Sequence, residues 1–183
     1  MANRKLNEGV GSWNKSMAFP KNRYTLRCIE EDMKIANSGS VMCQRKWEIC
    51  QGEPVVIGEK SIDIDGLTLT QYATTKVKGE EGWDAEKSDK AFSRFAEDLQ
   101  KCGFEGDEID DENPPCFMKG KVVDAIVYGK EVISYQSPNA EQKAKGQKIG
   151  DPIKDANGKD IRETQLQIDQ ILGLSTTEIN RPY

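Results

Sequence analysis

Apolar and polar side chains alternate through the first third of the chain. In Arg23–Asp32 (RYTLRCIEED), Tyr24, Leu26 and Cys28 share one side and Arg23, Thr25 and Arg27 the other. A period of two is the mark of a half-buried strand. Asn37-Ser38-Gly39 reads as a turn. Val41–Cys50 (VMCQRKWEIC) alternates again and is expected to pair antiparallel with the first strand. Cys43, Arg45, Trp47 and Ile49 fall on one side, Met42, Gln44, Lys46 and Glu48 on the other. Trp47 and Ile49 mark the core side, which puts Arg45 near its rim. A loop with Gly52, Pro54 and Gly58 spans Gln51 to Lys60. After the Asp65-Gly66 turn, Leu67–Lys76 (LTLTQYATTK) is a third, Thr-rich strand.

The period then changes. Phe92, Phe95, Ala96, Leu99 and Cys102 follow helical spacing, with Asp84 as a plausible N-cap, no full capping box, and Gly103 as the stop signal. Glu105–Pro115 (EGDEIDDENPP) is an acidic loop. Lys119–Tyr128 (KGKVVDAIVY) is expected as strand four, followed by a long polar excursion that ends in an Asn157-Gly158 turn. Arg162–Leu172 (RETQLQIDQIL) is expected as strand five.

Three strands, a helix and two strands is the element order of the OB-fold, a five-stranded, partly open barrel with its helix between strands three and four. The expected class is α+β, mainly β. The expected organisation is an N-terminal arm (1–20), with Trp13, Met17 and Phe19 as its apolar anchors, one domain (21–172) and a C-terminal tail (173–183).

Particular stretches carry a resemblance. RYTLRCIEEDMK, NSGSVMCQRKWEICQG, the helix AFSRFAEDLQKCGF, FMKGKVVDAIVYGKE and the late QLQIDQIL resemble phage replication-region proteins of the OB-fold single-stranded DNA-binding type, over roughly residues 20 to 172. The resemblance implies a non-enzymatic protein that coats single-stranded DNA in replication or recombination. Phage or host replication proteins are then candidate partners, and oligomers are open. Many such proteins end in a strongly acidic tail that recruits partners. TTEINRPY has one acid and one base, which argues against recruitment by that route.

Composition narrows the chemistry. The 183 residues contain no histidine, which removes His-based acid–base catalysis, His zinc ligation and Ser-His-Asp chemistry. Five cysteines without a CxxC pair give no zinc ribbon. No phosphate-binding glycine loop precedes a helix, since Gly9-Val10-Gly11 does not. Asp63-x-Asp65-Gly66 and Asp155-x-Asn157-Gly158-x-Asp160 resemble fragments of calcium loops, lack the closing glutamate, and are better explained as turns. Asp63, Asp65, Asp124 and Lys121 match no nuclease spacing. No cofactor is expected. Neither a secretory h-region nor a membrane-length apolar run is present, so the expectation is a cytoplasmic protein in a reducing compartment whose cysteines are mostly small core residues.

The net charge of -5 comes from one stretch: residues 79–115 hold four bases against thirteen acids, whereas residues 1–50 hold nine bases against five acids. An acidic total does not exclude a polyanion if the bases gather on one face. Binding a single strand needs cations for phosphates and aromatic faces for bases. The candidates are Arg23, Arg27 and Lys34 on or after strand one; Arg45 and Lys46 beside Trp47; and Tyr72 followed by Lys76 and Lys78. Lys121, Tyr128 and Lys130 follow on or after strand four, with Lys143 and Lys145 (and Lys148) in the excursion. Trp47 and Tyr24 are expected in the core, whereas Tyr72 and Tyr128 are open between core and stacking platform. The acidic loop has three readings: solubilising, competing for the groove or repelling nucleic acid, or holding a divalent ion. The alternative function is a protein-binding adaptor or virion structural protein on the same kind of barrel.

Overall fold

The computed structural model describes residue 19, residues 21–57 and residues 60–179, with backbone only for Ile57, Lys60 and Ile62. Five long strands form one antiparallel sheet: β1 (Asn22–Ile35), β2 (Val41–Gln51), β3 (Thr68–Lys76), β4 (Val122–Ile133) and β5 (Arg162–Leu174). Their order is β3-β2-β1-β4-β5. The long helix α1 (Ala85–Lys101) lies between β3 and β4 in the chain and packs on both β3 and β5.

β3 and β5 are the two edges of the sheet, and they touch. No ladder joins them among the described residues. The sheet therefore curls without closing, and the expected barrel is corrected to an open five-stranded sheet. At the seam, the backbone carbonyl of Asp169 on β5 accepts from the guanidinium of Arg94 on α1.

The element order is as expected, and the boundaries move. β1 runs three residues further than expected, to Ile35, and β4 is shifted to Val122–Ile133, which places Tyr128 in mid-strand. β5 continues to Leu174, past the expected start of the tail. Two small hairpins were not foreseen. Val55–Ile57 pairs with Lys60–Ile62 inside the expected loop, and Lys78–Gly79 pairs with Gly82–Trp83 ahead of α1.

Alternation on β2 sends Val41, Cys43, Trp47 and Ile49 into the core beside Tyr24, Leu26 and Cys28 of β1. Trp47 is fully enclosed, and its indole Nε1 donates to Gln71 Oε1 at 3.0 Å. From α1 come Phe95 and Leu99, with Cys102 at its C-cap, while Phe92 is only half-buried. Asp84 caps the helix by accepting from Lys87 N at 3.0 Å. Gly103 follows its last turn with φ +84°, a conformation that favours glycine.

Of the expected arm, Phe19 is buried, its ring 5.4 Å from that of Tyr24, and its carbonyl accepts from Gly129 N at 3.3 Å. A Cβ at position 129 would sit 2.5 Å from Phe19 Cβ, so glycine permits this approach. Trp13 and Met17 lie outside the described residues. Cys28, Cys43, Cys50 and Cys102 are buried free thiols and Cys116 is exposed. Burial, with Glu31 next, pushes the Cys28 and Cys43 thiols up to about 12. They are inert packing groups at neutral pH.

Candidate nucleic-acid interface

The β1–β2 ladder is irregular between Cys28 and Glu30. The irregularity reverses the phase of β1, so that Glu31 points inward, opposite Arg45. Both side chains are fully buried. Arg45 Nε donates to Glu31 Oε1 at 2.8 Å, and Glu31 Oε2 accepts from Met118 N at 2.6 Å and Lys119 N at 3.2 Å. The guanidinium stacks 5.0 Å from the centre of the Phe95 ring. Arg45 is therefore a structural residue: the pair ties β1 and β2 to the segment before β4. The expectation that it contacts a ligand is corrected, since a side chain enclosed on all sides cannot reach a phosphate.

Several other candidates are at the surface but held by acids. Arg23 pairs with Asp124, which also accepts from Thr25 Oγ1 at 2.9 Å. Arg27 pairs with Glu48 at 2.6 Å with both side chains mostly covered, and Lys46 reaches Glu30 at 3.5 Å. Lys76 binds Asp111 at 3.2 Å and Glu112 at 2.7 Å, and Lys145 binds Glu141 at 2.7 Å. Lys121 lies 4.0 Å over the Phe117 ring. Lys34, Lys78, Lys130 and Lys143 are exposed.

The two tyrosines part company. Tyr128, half-buried, donates its hydroxyl to Gln167 Oε1 at 2.8 Å. It follows Val127, which pairs with Asn22 at the opening end of β1. Tyr72 is 61% exposed and stands opposite Gln44, which pairs with Asp32 near the other end of β1. The expected single trough is thus not formed: Arg23, Tyr128, Lys130 and the excursion lysines belong to one end of the sheet, and Lys34, Lys46, Tyr72, Lys76 and Lys78 to the other.

Around Tyr72 the arrangement is denser than the sequence suggested. On the outward face of the sheet, Lys46 pairs with Thr70 and Lys34 with Met42, so both cations lie in rows flanking the Asp32–Gln44–Tyr72 row. On its other side Tyr72 lines a cleft of about 460 Å³ at the β3–β5 seam, shared with Lys87, Lys90 and Arg94 of α1. Phe95, Ile168 and Asp98 also line it. Burial lifts the Asp98 carboxyl above its ordinary range, against the pull of Arg45 and Arg94. Lys87, Lys90 and Arg94 escaped sequence reasoning because only their i, i+3, i+7 spacing hinted that they share a helix face. Trp83 was also missed: 43% exposed, its ring lies 4.9 Å from Lys76 Nζ and 4.7 Å from Lys78 Nζ.

Among the described residues no group of His, Cys, Asp and Glu side chains is arranged to hold a metal ion, and no helix is long and apolar enough to cross a membrane. Asp63 and Asp155 each accept backbone N–H groups of their own turns. The chain matches no protein-family model, no curated protein and no solved structure.

Proposed function

We propose that this protein binds single-stranded DNA without catalysis and with little sequence preference, in a phage-type replication or recombination setting. The observation that carries the reading is Tyr72. An aromatic ring 61% exposed in mid-strand leaves most of its surface in water. It stands at the lip of a cleft between Lys46 and Lys34 on the sheet and Lys87, Lys90 and Arg94 on the helix. Such a ring stacks on a base while the cations take the flanking phosphates. Thr70, Thr74 and Gln44 on the same face add hydrogen-bonding groups that do not choose between bases.

The fold supports the same reading. The order β3-β2-β1-β4-β5, with the helix between β3 and β4 and the outer strands in contact, is compatible with an OB-type domain whose last seam is open. In that fold the outward face of strands two and three is the ligand face, and here it is where Tyr72 and Lys46 lie. We read the chain as such a domain, acting in the host-cell cytoplasm.

Titration of a fluorescein-labelled oligo-dT of ~30 nucleotides tests the reading. Saturable binding at low salt that weakens steeply as salt rises is expected, because displaced counterions drive association. No binding at low salt would remove it. The adaptor reading draws on a different observation. Beyond Cys28 one side of β1 has no ladder partner among the described residues, and Met33 and Ile35 are exposed there, Ile35 at 68%. Absence of DNA binding would favour that edge as the working surface.

A further inference from the structure

The exposed Trp83 ring lies beside two ammonium groups, and one of those already holds two carboxylates. Lys76 Nζ is 4.9 Å and Lys78 Nζ 4.7 Å from the ring centre. Lys76 also binds Asp111 Oδ1 at 3.2 Å and Glu112 Oε1 at 2.7 Å, its side chain only 18% exposed. The acidic segment is anchored there by backbone as well: Thr75 Oγ1 donates to the Asp111 carbonyl at 2.7 Å. The hairpin that carries Trp83 is fastened to the β1–β2 turn, since Lys78 N donates to Ser40 Oγ at 2.9 Å.

Tyr72 and Thr74 follow one another on the outward face of β3, and the ladder irregularity after them sets Lys76 opposite Val41 at the end of the strand. Four residues of strand carry the chain about 13 Å from Tyr72 to Lys76. A strand of nucleic acid stacked on Tyr72 and running along β3 therefore reaches the strand end, where Lys76, Lys78 and Trp83 stand. There a phosphate meets the same cation that Asp111 and Glu112 hold in the free protein.

We infer that Trp83 with Lys76 and Lys78 is a second nucleotide subsite, and that Asp111 and Glu112 occupy its cation as a built-in competitor which the phosphate must displace. The inference rests on the single-strand-binding reading above and adds to it a second platform and a means of control. Three physical points support it. The carboxylates supply the oxygen ligands a phosphate would supply. They lie on an exposed loop, so exchanging them for a phosphate costs no core packing. Their hold on Lys76, the bond from Glu112 first, raises its pKa, so the amine is a cation in both states and only its anionic partner changes.

The test compares Asp111→Asn/Glu112→Gln with Asp107→Asn/Glu108→Gln, which removes the same charge from exposed positions of the same loop. Both are titrated with the labelled oligo-dT across a salt series. The first variant should bind about tenfold tighter than the parent, with a salt slope steeper by ~0.7, because a freed cation now releases a counterion for the phosphate it takes. The second variant should change affinity less than about twofold, since exposed charges at a distance are screened. Adding Lys76→Gln to the first variant should cancel its gain. Adding Trp83→Ala should cost it about tenfold or more, the value of one stacked base. Equal gains in the two loop variants would mean simple repulsion and overturn the inference, as would an Asp111→Asn/Glu112→Gln variant that binds like the parent. Either result leaves the parent's own binding, and hence the broader reading, standing. A parent protein that binds no oligo-dT at low salt overturns both.

Discussion

Two ion pairs a short distance apart along this sheet show how burial divides like from like. Glu31–Arg45 and Lys76–Asp111/Glu112 are each a cation on a strand held by carboxylate oxygens at 2.7–3.2 Å. The first has no solvent exposure on either side chain. Its partners are fixed: two backbone N–H groups and an aromatic ring complete the enclosure. The second faces water through loop carboxylates that are 41% and 59% exposed. A buried pair cannot exchange partners without leaving a charge in a low dielectric, which is far more costly than the pair is worth. An exposed pair contributes little to stability and can trade one anion for another. The same chemistry is a rivet in one place and a replaceable contact in the other.

Removing one half of the rivet should have the largest effect. Arg45→Ala leaves the enclosed Glu31 carboxyl without its cation, and should cost about 3–5 kcal/mol in urea unfolding. The paired replacement Glu31→Leu/Arg45→Met should recover only part of that loss: neither charge remains to be solvated, but the Met118 and Lys119 N–H groups lose their acceptor. A single variant as stable as the parent would mean that the pair is open to water after all.

On the exposed side, Tyr72→Ala should lower oligo-dT affinity by about 1–3 kcal/mol while leaving the melting temperature near that of the parent. Tyr128→Ala, at the other end of the sheet, should affect affinity less. Equal losses in the two variants would mean that the interface spans both ends, and a larger loss in Tyr128→Ala would place it on the opposite end from the one argued above.

Asp124 lies between the extremes, and its contribution depends on pH. Burial works against its charged form, but bonds from Arg23, Ser175 and Thr25 outweigh burial and hold the carboxyl below its ordinary value of 3.8. A carboxylate whose folded pKa is depressed stabilises above its unfolded pKa and loses that contribution as pH falls through the folded one. Asp124→Asn should therefore cost about 1–2 kcal/mol near neutral pH. The gap from the parent should close as pH falls below 3.8. Unfolding curves of both proteins across that range decide the matter.

The smallest effect belongs to Lys46 and Glu30, 3.5 Å apart, with side chains 40% and 63% exposed. Lys46→Ala should change stability by less than about 1 kcal/mol. It should nevertheless weaken oligo-dT binding on any sequence, because a phosphate contact carries no sequence information.

Much of the frame was legible from alternation alone. The order of three strands, helix and two strands, the burial of Trp47 and Tyr24, the Asp84 cap and the inert cysteines all follow from local pattern and residue type. The candidate site was legible only in part. Tyr72, Lys34, Lys46, Lys76 and Lys78 fall together, whereas Arg45 is withdrawn into the core and Tyr128 lies at the far end. Strict alternation after Tyr24, Leu26 and Cys28 would turn Glu30 inward. The irregularity at Cys28/Glu30 turns Glu31 inward instead and so gives Arg45 a buried partner.

By itself, then, the sequence determined which segments are strand or helix and which side of each is apolar, because those depend on neighbours two to four residues away. Only the tertiary structure decided which charges are buried, whether the sheet closes, and which bases join Tyr72 and Trp83. Those outcomes depend on a ladder irregularity, a seam and a loop contact between residues about 35 positions apart, such as Lys76 and Asp111. No local period in the chain encodes them.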